Sequence, residues 1–212
     1  SMEFQATLTG ATDALKAELV DTIHFLHAQG WAPATSSNYS FREGDDGDFW
    51  VSASGVDKGS FALTDLIHVD PTGKPFNDPR KTSAETLLHV LLYECFPDAR
   101  CVLHSHSVYN TVWSLARAKK GHLDLEGFEV LKGLREIKTH DVKVRIPIFE
   151  NSQDIAALAE QIGRWFEKHG EPQGFLLKGH GLYTWGVDIA STKRQMEVFE
   201  FLFEVLYKLK NV

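Results

Sequence analysis

One α/β domain in three layers, with helices on both faces of a central, largely antiparallel or mixed sheet, is the fold class this 212-residue sequence predicts. Three observations carry the prediction. Apolar residues recur at helical spacing near both ends of the chain and at its middle. Short strand-like runs bounded by Gly, Pro and Asp lie between them. The two kinds of segment follow one another without the strict βαβ alternation of a parallel sheet. No Pro/Gly/Ser linker, internal repeat or low-complexity tract divides the text, so residues 1–212 are expected to build one core.

In chain order, Leu15, Leu19, Ile23 and Leu26 fall on one stripe of a helix expected over 11–29, which Gly30 terminates. Tyr39–Arg42 and Phe49–Ala53 read as a hairpin around the aspartate-rich turn Gly44–Gly47. A strand over Leu66–Val69 precedes a turn at Pro71, Thr72 and Gly73, then a helix over Ser83–Phe96. The apolar run 101–105 ends in histidines and passes into helical text reaching Ala118. Lys143–Ile148 and Gly174–Leu177 read as later strands, and helices are expected over 152–168 and 190–210.

Composition narrows the function. Hydrophobic residues make up 43% of the chain and charged residues 24%, and no apolar run approaches the roughly 20 residues of a membrane-spanning helix. The N-terminus has neither a basic segment nor an apolar signal core, and Ser1-Met2 reads as a remnant of cloning, so a cytoplasmic location is expected. Two cysteines, Cys95 and Cys101, make no disulfide framework; Cys101 opens an apolar run as a small hydrophobe, and neither is assigned a chemical role. A net charge of −7 argues against broad nucleic-acid binding, which depends on clustered Lys and Arg. An anionic ligand would need a local pocket.

The chemistry centres on histidine. In Val102-Leu103-His104-Ser105-His106 two imidazoles stand at i and i+2 at the end of a strand, so both point to one face. In Lys178-Gly179-His180-Gly181-Leu182 flanking glycines let the backbone turn and leave the ring free to project. Three neutral imidazoles with an open fourth position form the donor set of catalytic zinc, although other first-row divalent ions accept it too. Core histidines with satisfied hydrogen bonds are the competing reading of the same spacing.

Two carboxylates are candidates for proton transfer. Glu85 could ligate a metal or move a proton, but Thr82-x-x-Glu85 is also a capping-box pattern, the reading that spacing favours. Glu129 is one charge amid apolar neighbours; burial would raise its pKa into the acid/base range, whereas an exposed carboxylate is the plainer expectation. Thr35-Ser36-Ser37-Asn38 offers hydroxyls, an amide and backbone donors that suit a phosphate, or an ordinary turn. Ser54-Gly55, Lys58 and the pair Thr82-Ser83 at a helix start also favour anions.

Together the serine-rich Asn38 loop, Ser54-Gly55, Ser83-Ala84-Glu85, His104-Ser105-His106 and Gly179-His180-Gly181 resemble the class II aldolase/adducin family over about residues 10–205. Gly30-Trp31-Ala32-Pro33-Ala34-Thr35-Ser36, Phe128-Glu129-Val130-Leu131-Lys132-Gly133 and Gly181-Leu182-Tyr183-Thr184-Trp185-Gly186 are similar to its dehydratase branch. The resemblance implies a three-layer fold with a central antiparallel sheet, one zinc ion on His104, His106 and His180, and phosphate binding by Ser36, Ser37, Asn38, Ser54, Gly55, Lys58, Thr82 and Ser83. It further implies a homotetramer with active sites at subunit contacts, and dehydration of a small phosphorylated sugar, 5-methylthioribulose 1-phosphate, in methionine salvage.

Two departures from the family pattern bear on the phosphate. The loop usually reads Ser-Gly-Asn, but Ser37 stands in the glycine position, where it must either avoid positive φ or accept strain. Ala84 replaces one of the paired serines before Glu85. In the family's aldolases the catalytic carboxylate matches Glu85 and in its dehydratases Glu129, so Glu129 is the expected catalytic residue and Glu85 a secondary acid/base or a support. Phe128, Tyr183 and Trp185 could supply an apolar patch for a methylthio tail, or simply be core. The alternatives are a zinc aldolase acting on another ketose phosphate and a non-enzymatic adducin-like scaffold, the latter disfavoured by the intact histidine set.

Overall fold

A computed structural model of the chain describes residues 2–212, with side-chain environments from residue 10 onward; Ser1, half of the dipeptide read as a cloning remnant, lies outside the described residues. In chain order the elements are α1 (Met2–Ala28), β1 (Tyr39–Phe41), β2 (Phe49–Ser52), β3 (Leu66–Val69), α2 (Thr86–Cys95), β4 (Cys101–Ser105), α3 (Val108–Ala116), β5 (His122–Glu126), β6 (Lys143–Phe149), α4 (Ile155–His169), β7 (Gly174–Leu177), β8 (Gly181–Gly186) and α5 (Ile189–Leu209). Short 3-10 turns occupy Lys58–Ser60, Leu63–Asp65 and Glu129–Gly133.

The strands form one sheet in the order β3-β2-β1-β4-β8-β7-β6-β5. Every neighbouring pair is antiparallel except β6–β7. This is the predicted largely antiparallel sheet. Strand alternation sorts its side chains into two cores. In β4, Cys101 and Leu103 join a cluster with Leu19 and Ile23 of α1, Trp113 of α3 and Phe199 and Phe203 of α5. Val102 faces the other way, toward Leu88 and Leu92 of α2 and Leu158 and Ile162 of α4. The result is the α/β/α layering, with β4 and β8 at its centre.

Helix ends follow their capping chemistry. Ser107 and Asn110 form a reciprocal capping box at α3. Asp154 and Asp188 accept from Ala157 N (3.1 Å) and Ser191 N (2.6 Å) at α4 and α5. No helix among the described residues is long and apolar enough to cross a membrane.

Three differences from expectation have local causes. The helix expected from Ser83 begins at Thr86, because Thr82 bridges to Ala53 and the Ser83 hydroxyl accepts from Glu85 N (3.1 Å), making 83–85 a turn. Strand β8 was not expected; all six of its residues are buried, so it shows no alternation to read. Strand β5 was also not expected, although Leu123 and Leu125 alternate with His122, Asp124 and Glu126.

Candidate metal centre and active site

The three predicted histidines converge. His104 lies on the last turn of pleat in β4, opposite Tyr183 of β8, and His106 follows just beyond with its N–H donating to Trp31 O (2.8 Å). His180 sits in the turn between β7 and β8, where Gly179 takes φ +66°. Gly181 is required for a different reason: a Cβ there would run into the carbonyl oxygen of Ser105. His104 Nε2 lies 2.8 Å from His106 Nε2 and 3.3 Å from His180 Nε2, and the three ligand atoms are all within 4.8 Å of one another.

Partners on the far side of the rings decide what those nitrogens carry. His104 Nδ1 is 2.8 Å from Leu182 O and His180 Nδ1 is 3.0 Å from Asn151 Oδ1. Both partners only accept, so each Nδ1 holds the hydrogen and each Nε2 presents a lone pair. Facing lone pairs 3.3 Å apart repel unless a cation lies between them. Burial holds the His104 pKa well below its usual value and lowers that of His106 to about 4, so both stay neutral near pH 7. Neutral, converging imidazoles with acceptors behind them fit a divalent metal ion.

Glu85 is the carboxylate that joins this cluster. Its Oε1 is 3.4 Å from His104 Nε2 and 3.3 Å from His180 Nε2, and accepts from the Tyr183 hydroxyl at 2.6 Å. The capping-box expectation is therefore wrong, since the side chain makes no cap hydrogen bond. Burial opposes ionisation of Glu85, while the hydrogen bond from the Tyr183 hydroxyl favours the carboxylate, and its pKa lies below the usual value.

The candidate anion-binding segments also meet. Lys58 is 1% exposed, and its Nζ donates to Thr35 O (3.2 Å) and Val56 O (2.9 Å), tying the Asn38 loop to the Ser54-Gly55 turn. Ser54 N donates to Lys81 O (3.1 Å), which brings that turn to Thr82 and Ser83. Lys58 makes no ion pair among the described residues, and its charge also disfavours protonation of His106. Burial lowers the pKa of this ammonium, which an anion nearby would stabilise. Ser37 accepts the strain that its glycine-like position imposes, with φ 79°, and its hydroxyl reaches Trp31 O at 3.4 Å. Ser36 Oγ donates to Pro33 O (2.6 Å), so it shapes the loop as well as facing solvent.

Glu129 stands apart. Its side chain is 71% exposed on the 3-10 turn, paired with Lys132 and 3.7 Å from His140 Nδ1, and Lys132 holds its pKa below the usual carboxylate value. The burial that would have raised that pKa is absent within one chain. Of the three aromatic candidates, Trp185 is core, packed on Phe96, Phe166 and Phe175. Tyr183 is buried as well, but its hydroxyl serves Glu85, and Phe128 packs half-buried against the α1/α3/α5 core. Asn151 and His89 were not anticipated; nothing local distinguishes them, and only the tertiary fold gives them their partners.

Comparison with known proteins agrees with this site. The profile of the Class II Aldolase and Adducin N-terminal domain matches residues 17–207. Methylthioribulose-1-phosphate dehydratase of Marinobacter nauticus is 46% identical over 187 residues, 88% of this chain and 89% of that protein. The protein of the same name from Enterobacter sp. (strain 638) is 45% identical over 202 residues, 95% of this chain and 98% of that one. Among solved structures, YgbL of Klebsiella pneumoniae superposes with a TM-score of 0.78 at 22% identity, covering 94% of this chain and 91% of that one. An L-fuculose 1-phosphate aldolase does so with 0.77 at 18% identity, covering 93% and 87%. The histidine cluster, the layered sheet and these likenesses agree, and the chain belongs to the class II aldolase and adducin N-terminal domain family.

Proposed function

We propose that this chain is a zinc-dependent methylthioribulose-1-phosphate dehydratase, a hydro-lyase of methionine salvage that works as one domain in a cytoplasmic homotetramer. The observation that carries the reading is the convergence of His104, His106 and His180, in a chain 42–46% identical to dehydratases of that name over about nine-tenths of its length. The reaction removes water from 5-methylthioribulose 1-phosphate and leaves 2,3-diketo-5-methylthiopentyl 1-phosphate.

His104, His106 and His180 would hold the ion, which when bound supplies Lewis-acid polarisation of the C2 carbonyl and C3 hydroxyl. Lys58, with Ser36, Ser37, Asn38, Ser54, Gly55, Thr82 and Ser83, would hold the phosphate and so place C3 and C4. Glu129 takes the proton from C3 and returns it to the hydroxyl leaving C4 as water; the resulting enol then tautomerises to the diketone. Because Glu129 lies exposed, paired with Lys132 and His140 and with no contact to His104, His106 or His180 of its own chain among the described residues, it acts in the site of a neighbouring copy, as sites at subunit contacts would require. Glu85, tethered by Tyr183, supports the site by setting a carboxylate beside the Nε2 atoms of His104 and His180, where it favours a cation.

The position of Glu85 favours one second reading, a zinc aldolase on another ketose phosphate, because a carboxylate beside the cluster is placed to move a proton in retro-aldol cleavage. Product analysis by NMR, after zinc-loaded protein meets 5-methylthioribulose 1-phosphate, separates the two. The diketone with release of water supports the dehydratase. Dihydroxyacetone phosphate with a methylthio aldehyde supports the aldolase centred on Glu85, and unchanged substrate rejects the proposed substrate.

A further inference from the structure

Behind the Asn38 loop, on the α2 side of the sheet, runs a buried file of polar groups, of which the chemistry above uses only Asn38. The Tyr93 hydroxyl lies 2.7 Å from Ser40 Oγ, Ser40 Oγ lies 2.6 Å from His89 Nδ1, and His89 Nε2 lies 2.5 Å from Asn38 Oδ1. His89 and Ser40 are 0% exposed, Asn38 4% and Tyr93 5%. So many polar groups are costly inside an apolar layer unless each is paired, and here each link of the file is made, leaving only the amine at its Asn38 end without a partner among the described residues.

The hydrogens can be assigned from the inventory of donors and acceptors. The atom facing His89 Nε2 is the amide oxygen of Asn38, which the Tyr183 hydroxyl also reaches at 3.4 Å. His89 Nε2 is then the donor and Nδ1 the acceptor; Ser40 donates to Nδ1 and Tyr93 donates to Ser40. Burial, which lowers the His89 pKa to about 3, keeps the ring in this neutral form. With Oδ1 held against the ring, the Nδ2 amine of Asn38 points away from it. That amine has no partner among the described residues, and it is not one of the enclosed unpaired atoms, which are Tyr39 OH, Thr86 Oγ1 and Glu200 Oε2. Its two hydrogens are left for a ligand in the loop that Lys58 ties down.

We propose that His89 is a positioning residue: by holding Asn38 Oδ1 it fixes the carboxamide with its amine turned toward the substrate phosphate, and Ser40 and Tyr93 fix the ring of His89 in turn. The inference rests on the proposed phosphate role of the Asn38 loop. Released from His89, the amide can rotate by half a turn and set its oxygen, rather than its hydrogens, against the anion.

The test compares His89→Leu, His89→Gln and Asn38→Asp in metal-loaded protein, with inorganic phosphate as the probe by calorimetry and the KM-against-kcat split as a second readout. Loss of one donor to a charged group predicts that His89→Leu weakens phosphate affinity and raises KM about tenfold, with kcat and metal content little changed. His89→Gln, whose Nε2 can replace the ring donor, recovers most of that loss. Asn38→Asp, which turns only oxygens to the anion, weakens phosphate at least as much. If Asn38→Asp leaves phosphate binding unchanged, the phosphate reading of the loop fails. If it weakens binding while His89→Leu does not, the positioning role alone fails. Equal weakening in the Leu and Gln variants also overturns it, as a general packing defect. Should His89→Leu not fold, Ser40→Ala takes its place, with a two- to fivefold loss of phosphate affinity expected and no loss overturning the proposal.

Discussion

Tyr183 and His104 face each other across the β4–β8 ladder with their rings stacked 4.0 Å apart at 15°, while the Tyr183 hydroxyl donates to Glu85 at 2.6 Å. One side chain is thus the floor of the histidine cluster and the tether of its carboxylate. Tyr183→Phe keeps the floor and cuts the tether. Because a carboxylate held beside the ligand nitrogens favours a cation there and outer groups of this kind typically contribute tenfold or more to affinity, the Phe variant is expected to bind zinc about tenfold more weakly. Competition with a chromophoric chelator measures this, and unchanged affinity would show that the tether on Glu85 does not serve the ion.

Gly181→Ala is expected to be far worse than Gly179→Ala. At Gly181 the added methyl meets the Ser105 carbonyl, with His104 Cε1 at 3.0 Å and His106 Cδ2 at 3.2 Å, so the β4–β8 pairing must open where the ligands sit. At Gly179 the nearest atom is Leu115 Cδ2 at 3.5 Å, and the penalty is the left-handed φ alone, about 1–2 kcal/mol. Thermal unfolding with and without zinc separates them: Gly181→Ala should lose the stabilisation by metal, and Gly179→Ala should retain most of it.

These two glycines show how far the sequence could be read. The i, i+2 spacing of His104 and His106 follows from strand geometry, and the glycines around His180 advertised a special turn, so the convergence of the three histidines was legible. That Gly181 is there to let β4 pass was not, because close approach is a tertiary fact. The same holds for Glu85: Thr82-x-x-Glu85 matches a local capping pattern, and only Tyr183, 98 residues later, draws the carboxylate away. Strand β8 was hidden for an opposite reason: its burial on both faces erases the alternation that marks a half-buried strand, and no turn cluster of the kind that framed β1 and β2 sets it off.

Ser37→Gly should stabilise the protein. Ser37 holds φ 79°, where a side chain costs about 1–2 kcal/mol, and its hydroxyl reaches Trp31 O at a long 3.4 Å. Glycine relieves the strain but loses more entropy on folding, leaving a net gain of roughly 0.5–1 kcal/mol. A higher urea midpoint at unchanged slope would show it. A lower midpoint would mean that the serine hydroxyl outweighs the strain.

Glu200 makes stability fall with rising pH. It is 3% exposed beneath the β4–α3 corner, accepts from Asn110 Nδ2 (2.8 Å) and Ser105 Oγ (3.3 Å), and burial pushes its pKa up to about 7. A raised carboxyl pKa means that the folded state keeps a proton the unfolded state releases above its ordinary value of 4.5. This contribution is therefore complete below about pH 4.5 and is lost as pH rises through 7, amounting to about 3 kcal/mol. Glu200→Gln removes the titration while keeping an acceptor. The difference in unfolding free energy between variant and wild type should move in favour of Gln across pH 5–8, and a flat difference would show that Glu200 is ionised throughout.

Glu129 poses the sharpest question, because it is exposed on its own chain and yet is assigned the proton transfer. Glu129→Gln should leave the fold within about 0.5 kcal/mol of wild type, as expected for an exposed position, while turnover falls by roughly 10²–10⁴. His106→Ala should also be inactive, through loss of a metal ligand. If each site takes its histidines from one copy and Glu129 from the next, co-expressing the two inactive variants restores sites that pair a Glu129→Gln histidine set with an intact Glu129. Random assembly in a ring would place such pairs at about a quarter of all positions, giving about a quarter of wild-type activity. If mixing restores nothing although mixed oligomers are seen by native mass spectrometry, Glu129 does not act across a subunit contact, and Glu85 becomes the carboxylate that must carry the proton.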